Sequence, residues 1–175
     1  MSLQNSPEAW ELPAAALHAS LAEMAPDGAR GCEGVALWLG RRAGTVAQVS
    51  HVVTLRGVGI VKWPDRLSIA AELLNEVTDV AIDLGCHLIG QIHSHPFDWV
   101  ELSLADQRMG IRSEGYLSVV APHFAQRADT RLDDCGVHLF DGGGWRRVVP
   151  PELQRRVRLV EREAPVLIVG GQGNG

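Results

Sequence analysis

The run from His93 to Asp106, H-S-H-P-F-D-W-V-E-L-S-L-A-D, constrains this chain more than any other stretch. Pro96 ends the extended segment that carries the two histidines. Ser103 followed by Asp106 has the form of a helix start, with the serine as N-cap and the acid at the third helical position. Strand, short loop and helix are therefore expected in that order. Residues two apart on a strand share a face, roughly 6.5 Å apart along the chain, so the imidazoles of His93 and His95 can converge on one ion. Asp106, held in the first helical turn, then offers a carboxylate oxygen from a different element. Three protein ligands leave the fourth tetrahedral position of a zinc ion to water, the arrangement of a catalytic rather than a structural site.

An H-x-H pair alone is more often two hydrogen-bonded or exposed histidines, so its surroundings decide. A metallo-β-lactamase pattern, H-x-H-x-D-H, fails because Asp98 comes one residue late and no histidine follows it. A cupin needs a Glu four or five positions after the second histidine, whereas Glu101 is six on. An amidohydrolase needs a barrel of about 250 residues, and a zinc deaminase needs H-x-E with P-C-x-x-C; neither fits.

Glu33, in the segment G-C-E-G-V-A-L-W-L-G, stands at the start of an apolar run that reads as a buried strand. Together, Glu33, His93-Ser94-His95, Ser103 and Asp106 resemble the metal-binding motif of the JAMM metalloproteases, also called MPN-plus or JAB domains, with every motif position filled. The resemblance runs from about Ala14 to Val149 and is similar to the compact prokaryotic members. It implies a three-layer α/β, cytidine-deaminase-like fold with a curved mixed sheet flanked by helices. It also implies a Zn2+ ion on His93, His95 and Asp106, Glu33 as general base, and Ser103 as a hydroxyl that stabilises the oxyanion. The implied substrate is a ubiquitin-like protein or its conjugates, cut after a C-terminal diglycine for deconjugation or precursor processing, beside activating and conjugating enzymes. Two other functions stay open within the resemblance: processing of a sulfur-carrier protein in cysteine synthesis, and a non-catalytic MPN scaffold. Phe97 and Trp99, next to the ligands, are candidates for lining a peptide groove.

Composition bounds the alternatives. The chain has 175 residues and a net charge of -5, with no polybasic stripe, which argues against nucleic acid. No apolar run is long enough for a membrane span or a secretion signal, so a cytoplasmic location is expected. Cys32, Cys86 and Cys135 lack C-x-x-C spacing and are expected to be free, buried thiols. Lys62 is the sole lysine.

Periodicity predicts a first helix from Pro13 to Ala25 stopped by Pro26, strands over Val35–Leu39 and Thr45–Val53, and a loop from Arg56 to Trp63. A long helix is expected over Asp65–Leu84, then a strand over Leu88–His95, a helix from Ser103 to about Ser113, and a strand over Tyr116–Ala121. A hairpin about Gly142-Gly143-Gly144 and a closing helix over Pro151–Glu163 follow. The expected organisation is an N-terminal extension over 1–12, one domain over 13–163 and a flexible tail over 164–175.

Overall fold

The computed structural model describes residues 6–171. Its elements in chain order are β1 (Ala9–Pro13), α1 (Ala14–Ala29), β2 (Val35–Ala43), β3 (Val46–Arg56), β4 (Ile60–Lys62), β5 (Leu67–Ile69), α2 (Ala71–Asp83), β6 (His87–Ser94), α3 (Leu104–Met109), β7 (Leu117–Ala121), β8 (Gly136–Asp141), β9 (Gly144–Arg147), α4 (Pro150–Arg156), β10 (Val157–Val160) and β11 (Val166–Gly170). Among the described residues, one nine-stranded sheet runs β10-β1-β3-β2-β6-β7-β8-β9, and β11 lies beside β3. The sheet is mixed: β6 pairs parallel with β7, and β2 pairs antiparallel with both β3 and β6. The separate β4-β5 hairpin stands between β3 and α2 in the chain.

Strand β2 shows why the molecule is layered. Its apolar stretch from Val35 to Leu39 has no solvent face: Ala36 and Trp38 join the cluster that contains Leu17, Leu21 and Met24 of α1, while Val35, Leu37 and Leu39 join Leu73, Val77 and Ala81 of α2. Helices thus cover both faces of the sheet, and the expected α/β architecture is the observed one. Trp38 places its indole N–H on the Ser20 hydroxyl at 3.0 Å, and Ser20 in turn donates to the Ala16 carbonyl at 2.7 Å, so this buried polar chain is satisfied.

Several boundaries differ from the sequence expectation. Helix α1 continues through Pro26 to Ala29. Proline removes one helical hydrogen bond, but the last turn is tied down by Asp27, whose carboxylate meets Lys62 Nζ at 2.6 Å and whose carbonyl accepts from Arg30 and Cys32. Helix α2 begins at Ala71 rather than near Asp65, because Leu67–Ile69 pair with Ile60–Lys62 as a hairpin, which also replaces the expected loop. The closing helix stops at Arg156, and Val157–Val160 become a strand parallel to β1.

Outside the limits expected at 13 and 163, Ala9–Pro13 pairs with β3 and β10, and Val166–Gly170 pairs with β3. Both segments satisfy their backbone groups on strands distant in sequence, which local periodicity cannot reveal. Residues 1–5 and 172–175, parts of the expected extension and tail, lie outside the described residues.

Glu152 of α4 takes both guanidinium nitrogens of Arg146, at 3.0 and 2.8 Å, and accepts from Arg156 at 2.7 Å. Arg146 and then Arg156 outweigh burial and hold its carboxyl at about 2, below the ordinary 4.5. A depressed carboxylate stabilises the fold above its unfolded pKa and loses that contribution as pH falls through the folded value. Glu152→Gln is therefore expected to lower stability by about 1 kcal/mol at pH 6. The difference should shrink as pH falls from about 4.5 toward 2; urea midpoints of the two proteins measured across that range test it.

Candidate metal centre

Sheet alternation assembles the site. Val35 of β2 pairs with His93 of β6, so His93 shares the face of Val35, and Glu33, two residues before Val35, falls on that face as well. Ser94 points the other way, accepting the Gly34 N–H on its hydroxyl at 2.9 Å and donating its own N–H to the Gly34 carbonyl at 3.0 Å. These bonds lock the end of β6 against the segment that carries Glu33. His93, His95 and Glu33 are all buried.

Asp106 arrives from α3. Ser103 caps that helix: its hydroxyl accepts from the Asp106 N–H at 3.0 Å, while the Asp106 carboxylate accepts from the Ser103 N–H at 2.8 Å. The expected helix start is thus present as a reciprocal capping box, although α3 ends at Met109 rather than near Ser113. Asp106 Oδ2 lies 3.2 Å from His95 Nε2 and 3.5 Å from His93 Nε2, and the two Nε2 atoms are 3.2 Å apart.

These three separations test whether a metal fits. Three atoms each 2.0–2.1 Å from a tetrahedral ion lie about 3.4 Å from one another, close to the observed triangle. The two Nδ1 atoms, on the far side of each ring, are buried without a protein partner. The donor set of two imidazoles and one carboxylate suits zinc, so His93, His95 and Asp106 could hold it.

Glu33 completes the constellation. Its Oε1 is 3.7 Å from His95 Nε2, and its Oε2 is buried with no hydrogen-bond partner. Burial, reinforced by the charges of Asp106 and Asp65, pushes the Glu33 carboxyl up to about 8. Burial acts in the same direction on Asp106, but hydrogen bonds from His93, His95 and Ser103 outweigh it and hold that carboxyl well below the usual range.

Ser103 also reaches the ligand carboxylate through its side chain. Its hydroxyl donates to Asp106 Oδ2 at 2.7 Å, so the one hydrogen it owns is committed to the ligand carboxylate. In this arrangement Ser103 orients Asp106; donation to an oxyanion requires that hydrogen to turn away. Phe97 is 77% exposed, with a left-handed φ of 55°, and Trp99 lays its indole on the His95 ring at 4.7 Å. Neither lines the cavity beside the triad. That cavity, about 430 Å3, is bounded by His93 and Asp106 and by Leu67, Met109, Ile111 and Trp145, contributed by β5, by α3 and the residues after it, and by β9.

The loop between β6 and α3 is clamped by residues that carry no motif spacing in the sequence. His138, neutral because burial lowers its pKa, donates from Nε2 to the Val100 carbonyl at 3.0 Å. The Phe97 carbonyl accepts from the His123 N–H at 2.5 Å, and Arg147 pairs with Glu101. Gly136 permits this closeness, since a methyl group there would sit 1.9 Å from the Val100 oxygen. Gly136→Ala must displace the loop that carries the cap and the carboxylate. It is expected to weaken metal binding about 10- to 100-fold, the usual effect of disturbing a support around a ligand, as read by competition with a colorimetric chelator.

Among the described residues no helix is long and apolar enough to cross a membrane. The three cysteines are free, with Cys86 and Cys135 buried.

No protein-family model matches the chain, and no curated protein matches its sequence. Solved structures do match. The solution structure of protein DSY2949 from Desulfitobacterium hafniense aligns over 87% of this chain and 94% of its own, with 19% identity and a TM-score of 0.66. The crystal structure of AF2198, a JAB1/MPN domain protein from Archaeoglobus fulgidus, aligns over 90% of this chain and 99% of its own, with 14% identity and a TM-score of 0.41. At such identities the likeness to DSY2949 is one of fold, a mixed sheet between helical layers.

Proposed function

We propose that this chain is a zinc-dependent peptidase or isopeptidase of the JAMM type, cutting after the C-terminal diglycine of a ubiquitin-like protein to remove or mature it. The observation that carries the reading is the triangle of His93 Nε2, His95 Nε2 and Asp106 Oδ2, with a buried, partnerless carboxylate oxygen of Glu33 beside it. The motif resemblance supplies the substrate class; the geometry supports the chemistry.

When bound, a zinc ion on these ligands supplies Lewis acidity, making water an effective nucleophile near neutral pH and polarising a carbonyl. The protein's own groups handle the protons. A dication held beside Glu33 would bring its carboxyl down from about 8, and the carboxylate then takes a proton from the attacking water and returns it to the departing amine nitrogen, the shuttle that amide cleavage needs because an amide ion is a poor leaving group. Ser103 holds Asp106, and Trp99 covers one face of the His95 ring, so the ligands are kept in place through the cycle. The glycine pair suits a narrow approach, since a tail without side chains can bring its carbonyl close to the buried histidines.

Incubation with ubiquitin-like fusions whose diglycine is joined to a reporter should release the reporter. A chelator should stop the release and added zinc restore it. A protein that purifies without metal and cleaves none of the fusions would overturn the reading in favour of a scaffold.

A further inference from the structure

We infer that the substrate tail carries a large apolar side chain immediately before its glycine pair, seated in the cavity that opens beside His93 and Asp106; this rests on the diglycine peptidase reading. The asymmetry of the site sets the direction of the bound chain. Glu33 lies at the His95 side, 3.7 Å from that ligand, and forms no part of the cavity wall. A carboxyl that hands its proton to the departing amine places the amine half of the substrate on the Glu33 side. The acyl half then lies on the His93 and Asp106 side, where the cavity is.

Glycine has no side chain to enter a space of about 430 Å3. Along an extended tail, alternate residues share a face about 6.5 Å apart. The first side chain able to enter is therefore that of the third residue from the cleaved bond. The wall offered to it is Leu67, Ile69, Met109 and Ile111, flanked by Trp63 and Trp145. Charge selects against the alternatives. The Arg66 guanidinium lies 4.4 Å from the centre of the Trp63 ring at this wall and opposes a basic side chain. An acidic side chain, like a basic one, would lose its hydration among these apolar groups.

The test uses metal-loaded protein and fluorogenic peptides ending X-Gly-Gly-amide, with X as Leu, Phe, Arg or Asp. Leu and Phe are expected to exceed Arg and Asp in kcat/KM by about 10- to 100-fold, the range for fully burying such a side chain. Equal rates for all four overturn the inference. Binding of the same peptides to metal-loaded Glu33→Gln protein, followed by tryptophan fluorescence, should give the same order without turnover. Ordered binding with no cleavage by the unsubstituted protein would count against the peptidase reading and leave the subsite standing, whereas binding with no order overturns the subsite itself. Met109→Glu, at a position 82% exposed where folding is not at stake, should reverse the order to favour Arg over Leu. An unchanged order in that variant also overturns the proposal.

Discussion

Asp106→Ala will yield a protein that purifies without metal and cleaves nothing. Removing the carboxylate takes away one of three ligand atoms and, in the same stroke, the acceptor of the Ser103 N–H and hydroxyl. The helix start then loses one half of its capping box, for which a cost of about 1 kcal/mol is typical, so the folded state should survive. Metal content by mass spectrometry and circular dichroism of the same preparation separate ligand loss from unfolding. His93→Ala should give the same result from the strand side. An Asp106→Ala protein that retains a full equivalent of zinc and its activity would exclude the triangle as the metal centre.

Glu33→Ala should behave oppositely with respect to the ion. Glu33 is near His95 but outside the triangle, so metal content should stay near that of the unsubstituted protein. Turnover should fall by about 10^2- to 10^4-fold, the usual worth of a positioned proton shuttle. Because the carboxylate lies buried and its Oε2 lacks a hydrogen-bond partner, removing it leaves no donor stranded, and the melting temperature should hold or rise. Loss of metal in this variant would make Glu33 a ligand; undiminished turnover would remove it from the chemistry. The two substitutions form a pair: one abolishes both properties, the other only the second.

The local part of this site was legible in the sequence because strand and helix spacing act over a few residues. His93, His95, Ser103 and Asp106 lie in a single run, and Pro96 and the Ser103 cap declare the elements that carry them. Glu33 is distant in sequence, and nothing in its neighbourhood marks it apart from the start of an apolar strand. Its place came from the resemblance, and the pairing of Val35 with His93 is what brings it near the ligands.

The cavity was hidden for a related reason. Leu67 fits a helical stripe as well as a strand, and the hairpin with Ile60–Lys62 is settled by pairing. Trp145 reaches the cavity from β9 at the end of the nine-stranded sheet, whereas β5 belongs to the separate two-stranded hairpin. Strands β1 and β10 were missed because their partners are parallel and far along the chain, where no short-range period reports them. The clamp on the ligand loop escaped because a lone histidine such as His138 carries no spacing signal.

The reciprocal cap between Ser103 and Asp106 has a consequence for dynamics. The carboxylate that would ligate a metal also caps the start of the helix, so fraying of that short helix and release of a bound cation would be one event rather than two. Amide hydrogen exchange over 103–109 should accordingly slow when zinc is added, and its rate becomes a gauge of how fully the protein is loaded.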